Sequence, residues 1–570
     1  MKRSVLVLGA LALACPGVFA GTYSQFDTLI PVPESATATA SGDTAASSSS
    51  MIHLDARVYI PDGVGAPAPV VVVMHGYGGS KTQGSVVAVA QDLASQGYVV
   101  LTPSARGFGE SDGLVTLGGS NEINDLKTVI LAMQNGVIGD SPAINIPVNA
   151  ASKFGVTGAS YGGGYVFEIM RTHVPGLTAV APVIGWTDLY QALSPNDVPK
   201  ISYQLALFAG GFDTSHPNYD NVLYDWARDS IDGHPENMRT GGPQNNIDWR
   251  SVIFNPTELT VPVFVVQGWH DWLFPAEQAT SLFQSATAIP FFKMYIGGLG
   301  HPPADSDVTT PEALYLRGQL IRWFDYWLKG VANGITSEPR VTVGPERTAL
   351  WSEASLVKAD TFPLPGTINS TYYFNGAQLL ATGPKGKSQI VKPTSGLPTV
   401  LLPLQNAIGQ DAATLIGAII AVNATINTGG DVFSPNLNTG LDTTANFLSY
   451  TTAPLSQNIH VVGQPQFRLS VSATNSTAYY YAEVTEISAN GSEHLVSRGA
   501  FKDHTANFGG AHEIDFSGLG MNHVFDAGNQ IRVRVASRDF PYFYVTSSQP
   551  TIKIYRTSAH PSSVVLPVAP

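Results

Sequence analysis

Residues 69–76, PVVVVMHG, form a continuous apolar run that stops at a histidine and a glycine. A run that is apolar at every position leaves no face for water. It therefore predicts a strand covered on both sides, the kind found in a largely parallel sheet. The signature recurs: YVVLTPSARGFG, KFGVTG, LTAVAPVIG, VPVFVVQG and FFKMYIGG each read as a strand. Between the earlier ones, residues 86–96, NEINDLKTVILAMQ and YGGGYVFEIMRTH read as helices, the second of them capped by Ser120 or Asn121. Strands alternating with helices make βαβ units, so the fold class is α/β.

The alternation breaks between Trp186 and about Pro256, where the aromatic-rich stretches ISYQLALFAGG and NYDNVLYDWARDS intervene. An insertion there predicts a helical cap, about 186–256, over the carboxyl edge of the sheet, where such folds bind ligands. The helix EALYLRGQLIRWFDYWLKG closes this first domain near Gly330. From 337 to 570 the chain changes to short β-branched and aromatic runs such as FRLSVSATN and AYYYAEVTEI, divided by turn residues. That spacing predicts an all-β sandwich or jelly-roll domain. The polar stretch SATATASGDTAASSSS reads as a loop between early strands or a flexible arm.

MKRSVLVLGALALACPGVFA has two cations, a short apolar run and small residues before Gly21. It reads as a signal peptide over 1–20, cut after Ala20, and places the protein outside the cell or in the periplasm. LALAC is also a weak match to a lipid-attachment box, with Pro16 and Ala12 against it. Cys15 is the sole cysteine and leaves with the leader, so neither disulfides nor thiol chemistry serves the mature chain. Lys2 and Arg3 leave with it too, and the remainder carries a formal charge of −15. A surface of that sign repels phosphate backbones and argues against a nucleic-acid partner. No later segment supplies the roughly 20 apolar residues of a membrane span.

Three residues with the chemistry for acyl transfer stand at predicted strand ends. Ser160 lies in GASYG, between strand KFGVTG and a helix, the strand–turn–helix context of a nucleophile elbow, with Gly158 and Gly162 permitting the turn. A glycine-rich helix start packed on the sheet would read the same way in isolation. Asp271 follows strand VPVFVVQG in GWHDWLFP, where it could orient a histidine or merely cap the next helix. His301 follows FFKMYIGG in GLGHPP, and the order Ser, Asp, His is that of α/β-hydrolases. The oxyanion donors are expected from the backbone N–H of Tyr161 and from Tyr77 in HGYGGSK, through its N–H, its phenol or both. Arg106, in SARGFGESDG, reads as a residue that ties its loop down. Candidate pocket residues are Trp186, Asp188 and Trp272, with Glu277 beside them. No GxGxxG with an acidic partner, GxxxxGK[ST] phosphate loop, HExxH or spaced His/Cys cluster occurs, so neither cofactor nor metal is expected.

RGFGESDG, GASYGG, GWHD and GHP, together with LSYTTAPLSQNIHVVGQP and IRVRVASRDFPYF, resemble the X-Pro dipeptidyl-peptidases and the cocaine-esterase-like acyl hydrolases. The resemblance covers most of the mature chain. It implies an α/β-hydrolase with a helical cap and a C-terminal galactose-binding-like jelly roll, a Ser160–His301–Asp271 triad, and a tyrosine hydroxyl in the oxyanion hole. Many members carry Pro-Tyr where this chain has Gly76-Tyr77. The expected substrate is a small peptide or ester. A carboxylesterase without peptidase activity is the alternative, and a secreted carbohydrate- or surface-binding protein is the reading from another class.

Overall fold

The structure is a computed structural model that describes residues 21–570 apart from 35, 39–43, 47–49, 213–217, 302–308, 346–349, 385, 395–396, 427–444, 505–509, 545 and 547–548. The leader read from residues 1–20 lies outside the described residues.

The first sheet contains β1 (Tyr23–Pro33), β2 (Met51–Pro61), β3 (Val70–Met74), β4 (Val99–Pro103), β5 (Phe154–Ala159), β6 (Leu177–Val183), β7 (Val263–His270), β8 (Phe292–Gly300), β9 (Val341–Val343) and β10 (Val357–Ala359). Their order is β1-β2-β4-β3-β5-β6-β7-β8-β9-β10. From β4 to β9 every neighbouring pair is parallel, and β2 and β10 join that block antiparallel. The helices that follow these strands are α1 (Gly84–Ser95), α2 (Ser120–Met133) and α3 (Tyr161–Ile169). The cap holds α4 (Leu189–Leu193), α5 (Ile201–Gly211) and α6 (Asn221–Asp232), and α7 (Glu277–Ser285) and α8 (Pro311–Lys329) complete the domain.

The unbroken apolar run of β3 has the cause read from it. Val70, Val72 and Met74 enter the core shared with α2 and α3, while Val71 and Val73 enter the core under α1 and α8. Burying such side chains on both faces contributes about 1.5–3 kcal/mol each. α2 begins where expected, but its cap is Gly119 rather than Ser120 or Asn121. The first-turn carboxylate of Glu122 accepts from the N–H groups of Thr116 and Gly118, so an acid inside the helix organises the entering loop.

The expected boundary at 336 falls before β9 and β10, which extend the first sheet. The stretch read as a loop holds a two-strand ladder, Ala36–Ala38 with Thr44–Ala46, between β1 and β2. Beyond β10, thirteen strands among the described residues build a mostly antiparallel β domain with its own core around Phe374, Tyr450, Phe467, Tyr480 and Val533. It is not purely β: α9 (Leu402–Ala407) and α10 (Ala412–Ile426) emerge from it, and α10 packs on α5 of the cap. No helix among the described residues is long and apolar enough to cross a membrane.

Candidate active site

Ser160 links β5 to α3 with φ 58° and ψ −116°. L-residues rarely adopt this conformation, at a cost of about 1–3 kcal/mol, so the surroundings must impose it. They do so by close approach. A Cβ on Gly162 would stand 2.6 Å from the carbonyl oxygen of Met74, and one on Gly158 would stand 2.9 Å from the backbone of Gly162. Only hydrogen at these two positions lets α3 start against the end of β3. The Ser160 N–H donates to the Val183 carbonyl at 3.0 Å, which pins the turn to β6.

His301, at the end of β8, presents Nε2 to the Ser160 Oγ at 2.8 Å, and its Nδ1 lies 2.8 Å from Asp271 Oδ2. Asp271, just past β7, is fully buried. Its other oxygen accepts the N–H groups of Leu273 at 3.1 Å and Phe274 at 2.8 Å. Those bonds fix the carboxylate. A fixed carboxylate at Nδ1 selects the tautomer whose Nε2 can accept the serine proton. The Phe274 ring meets the imidazole edge-on at 5.1 Å and shields it. Three side chains separated by as much as 141 positions therefore form one hydrogen-bonded path.

The Tyr161 N–H opens α3, in the turn where helix amides have no intrahelical acceptor. Its phenol ring is buried against Tyr77, Phe108 and Tyr165. In the Tyr77 loop, Gly79 N–H closes on Gly76 C=O at 2.9 Å and Gly76 N–H donates to Gln83 Oε1 at 2.9 Å. Neither bond uses the Tyr77 N–H. The Tyr77 hydroxyl donates to Tyr219 at 2.7 Å, and Tyr219 donates on to the Phe208 carbonyl at 2.8 Å. Burial raises the Tyr77 phenol well above its ordinary range, so it stays protonated within that chain. Of the two routes expected for Tyr77, the hydroxyl is engaged with Tyr219.

The three expected pocket residues are engaged elsewhere, and none lines the cavity at Ser160. Trp186 is buried over Gly164, and its indole N–H donates to the Arg250 carbonyl at 2.7 Å. Asp188 caps α4 by accepting the Gln191 N–H at 3.0 Å, and burial raises its carboxyl. Trp272 is packed edge-on against Tyr542 of the β domain at 5.9 Å, with the Arg498 guanidinium over its ring. A buried indole or carboxylate favours a partner, and for these three residues the partners come from the cap and the β domain. Glu277 is likewise internal: it accepts the Gly520 N–H of the β domain, and burial pushes its carboxyl up to about 7. Arg106 has the tying role read from its loop, forming two 2.7 Å bonds to Asp125.

One residue beside the site escaped the sequence reading. Lys200, which heads α5, is fully buried and donates to the carbonyls of Trp272 at 2.7 Å and Leu273 at 3.2 Å. The Tyr542 hydroxyl donates to the same Trp272 carbonyl at 2.9 Å. The loop carrying Asp271 is thus gripped from both cap and β domain. Burial, opposed by the negative charges of Glu277 and Asp271, brings the Lys200 ammonium down to about 7. A cation heading the apolar stretch ISYQLALF was the available signal.

Residues 50–302 match the family model of X-Pro dipeptidyl-peptidases, and residues 333–565 match the model of that family's C-terminal non-catalytic domain. A Bacillus cereus protein provisionally named an Xaa-Pro dipeptidyl-peptidase is 24% identical over 78% of this chain and 72% of its own length. The cocaine esterase of a Rhodococcus species is 21% identical over 91% of this chain and 96% of its own. A CocE/NonD family hydrolase from Staphylococcus aureus shares the fold, with a TM-score of 0.66 at 15% identity across 95% of this chain and 94% of that one. With both of its domains matched in order, the chain belongs to the X-Pro dipeptidyl-peptidase and cocaine-esterase-like family of α/β-hydrolases and is a hydrolase.

Proposed function

We propose that the protein cleaves an acyl bond through a covalent intermediate on Ser160. The hydrogen-bonded path from Ser160 through His301 to Asp271 carries this reading. As the Ser160 Oγ attacks the carbonyl carbon, its proton passes to His301 Nε2 and the carbonyl π electrons move onto oxygen. The N–H groups of Tyr161 and Tyr77 receive that oxyanion. Asp271 stabilises the imidazolium without taking its proton. Collapse of the intermediate expels an alcohol or amine, which leaves with the proton from His301. A water activated by the same nitrogen then releases the acid and restores the serine.

The bond is that of an X-Pro-type peptide or of a carboxylic ester, the two chemistries attached to the family. Comparing a Gly-Pro anilide with nitrophenyl esters on one preparation separates them. Ser160→Ala tests the mechanism: hydrolysis is expected to fall by more than about 10³-fold and labelling by a fluorophosphonate to vanish. A variant that keeps both refutes the assignment. The leader reading places the mature enzyme in the periplasm or medium. Its test is the mass of the protein recovered there, which should begin at Gly21.

A further inference from the structure

The space at Ser160 does not end at the serine. It runs into a cavity of about 560 Å³ on the sheet face covered by α1 and α8, within the usual size range of ligand pockets. Its floor is Val73 of β3, Thr157 of β5, Ala181 of β6 and Phe264 and Val266 of β7. Those are four adjacent strands, so the floor extends roughly 14 Å at the ordinary strand spacing. Thr157 and Ala181 at its middle are short, which keeps it open. Val89 of α1 and Leu316 of α8 form part of the opposite wall.

Two charged residues besides His301 border the cavity among the described residues, and both are engaged. Glu312 accepts the Tyr295 hydroxyl at 2.7 Å and the Gly298 N–H at 3.2 Å, and Arg317 donates to Asp92 at 2.6 Å. What remains is a long, mostly apolar space lined largely by valine, leucine and phenylalanine, with the Ser160 nucleophile in its wall. Such a wall offers water few partners and offers methylenes many contacts.

We propose that this cavity holds an unbranched apolar chain of the substrate, so that the enzyme favours esters or amides bearing an aliphatic chain on the acyl or the alcohol side. The inference rests on Ser160 being the nucleophile, and its test separates the two. One arm varies the acyl chain of nitrophenyl esters from acetate to decanoate, and the other varies the alcohol of alkyl acetates over the same lengths. In one of the arms kcat/KM should climb by up to about fourfold per methylene, the factor for burying one CH₂, until the cavity is full. Val89→Trp and Leu316→Trp, from opposite helices and both at half-buried positions, should each lower the long-to-short ratio in that arm at least tenfold. Flat series in both arms, or a ratio that neither tryptophan moves, overturns the proposal. Fluorophosphonate labelling is measured on the same preparation. Labelling at Ser160 with flat series removes the chain cavity alone, whereas absence of labelling removes the hydrolase mechanism and this inference with it.

Discussion

Lys200 Nζ stands 2.7 Å from the carbonyl oxygen of Trp272, the residue immediately after Asp271. An ammonium anchored in the cap thus fixes the backbone that positions the buried carboxylate, although it touches neither Ser160 nor His301. In Lys200→Met the loop is free to shift. We expect kcat to fall about ten- to a hundredfold with KM changed less than threefold, since displacements near 1 Å act on the chemical step. Steady-state kinetics on active-site-titrated enzyme checks this. An unchanged kcat would make Lys200 a packing residue only.

The same lysine predicts a pH dependence of stability. Its folded pKa of about 7 lies below the ordinary 10.5, so between these values the unfolded chain binds more protons. Stability should therefore rise with pH across that window. Glu277 acts oppositely: its folded pKa, about 7, exceeds the ordinary 4.5, so its contribution is lost as pH climbs from 4.5 to 7. Together they place a shallow minimum near neutrality. Melting temperatures from pH 5 to 10 should show the alkaline rise in the wild type and not in Lys200→Met.

Tyr542→Phe removes one of the two donors to the Trp272 carbonyl. With Lys200 still bonded there, a stability loss of about 0.5–1.5 kcal/mol is expected in denaturant titrations. Combined with Lys200→Met, the loss of activity should exceed the product of the single effects, because the carbonyl is then without either partner.

The Tyr77 hydroxyl is engaged with Tyr219, and the oxyanion role is therefore proposed for the backbone. Tyr77→Phe should accordingly reduce kcat by less than tenfold. A loss of 10²–10³, the usual consequence of deleting an oxyanion donor, would transfer the role to the phenol.

Arg106 and Asp125 form a buried bidentate pair. Arg106→Leu leaves a buried carboxylate uncompensated and should cost about 3–5 kcal/mol in chemical unfolding. Arg106→Lys should recover only part, since one ammonium cannot reproduce both bonds. Turnover per labelled serine should stay near wild type in whatever fraction folds.

Ser160, Asp271 and His301 were legible because each stands where an apolar strand ends, and the parallel order of the sheet brings strand ends to one edge. Trp186, Asp188 and Trp272 do not line the cavity at Ser160, for the complementary reason. They do lie on segments near that edge, but the direction of a loop side chain is decided by its partners Arg250, Gln191 and Tyr542, all of which are set by tertiary packing. Strands of three residues, such as Val341–Val343 and Val357–Ala359, are too short for period-two patterning to show, so their place in the first sheet is not legible from the sequence. The helix AATLIGAIIAVNATI is apolar nearly all round and carries no amphipathic stripe, and it was absorbed into a domain expected to be wholly β.

Because Tyr542 follows Asp271 in the chain by 271 positions, the grip on the Trp272 carbonyl is completed only after most of the β domain has been made. A nascent chain holding the first sheet and cap would possess all three residues of the Ser160 path yet lack the contact that steadies one of them. Steadying of the Asp271 loop therefore depends on the docking of a segment that lies far along the chain from it.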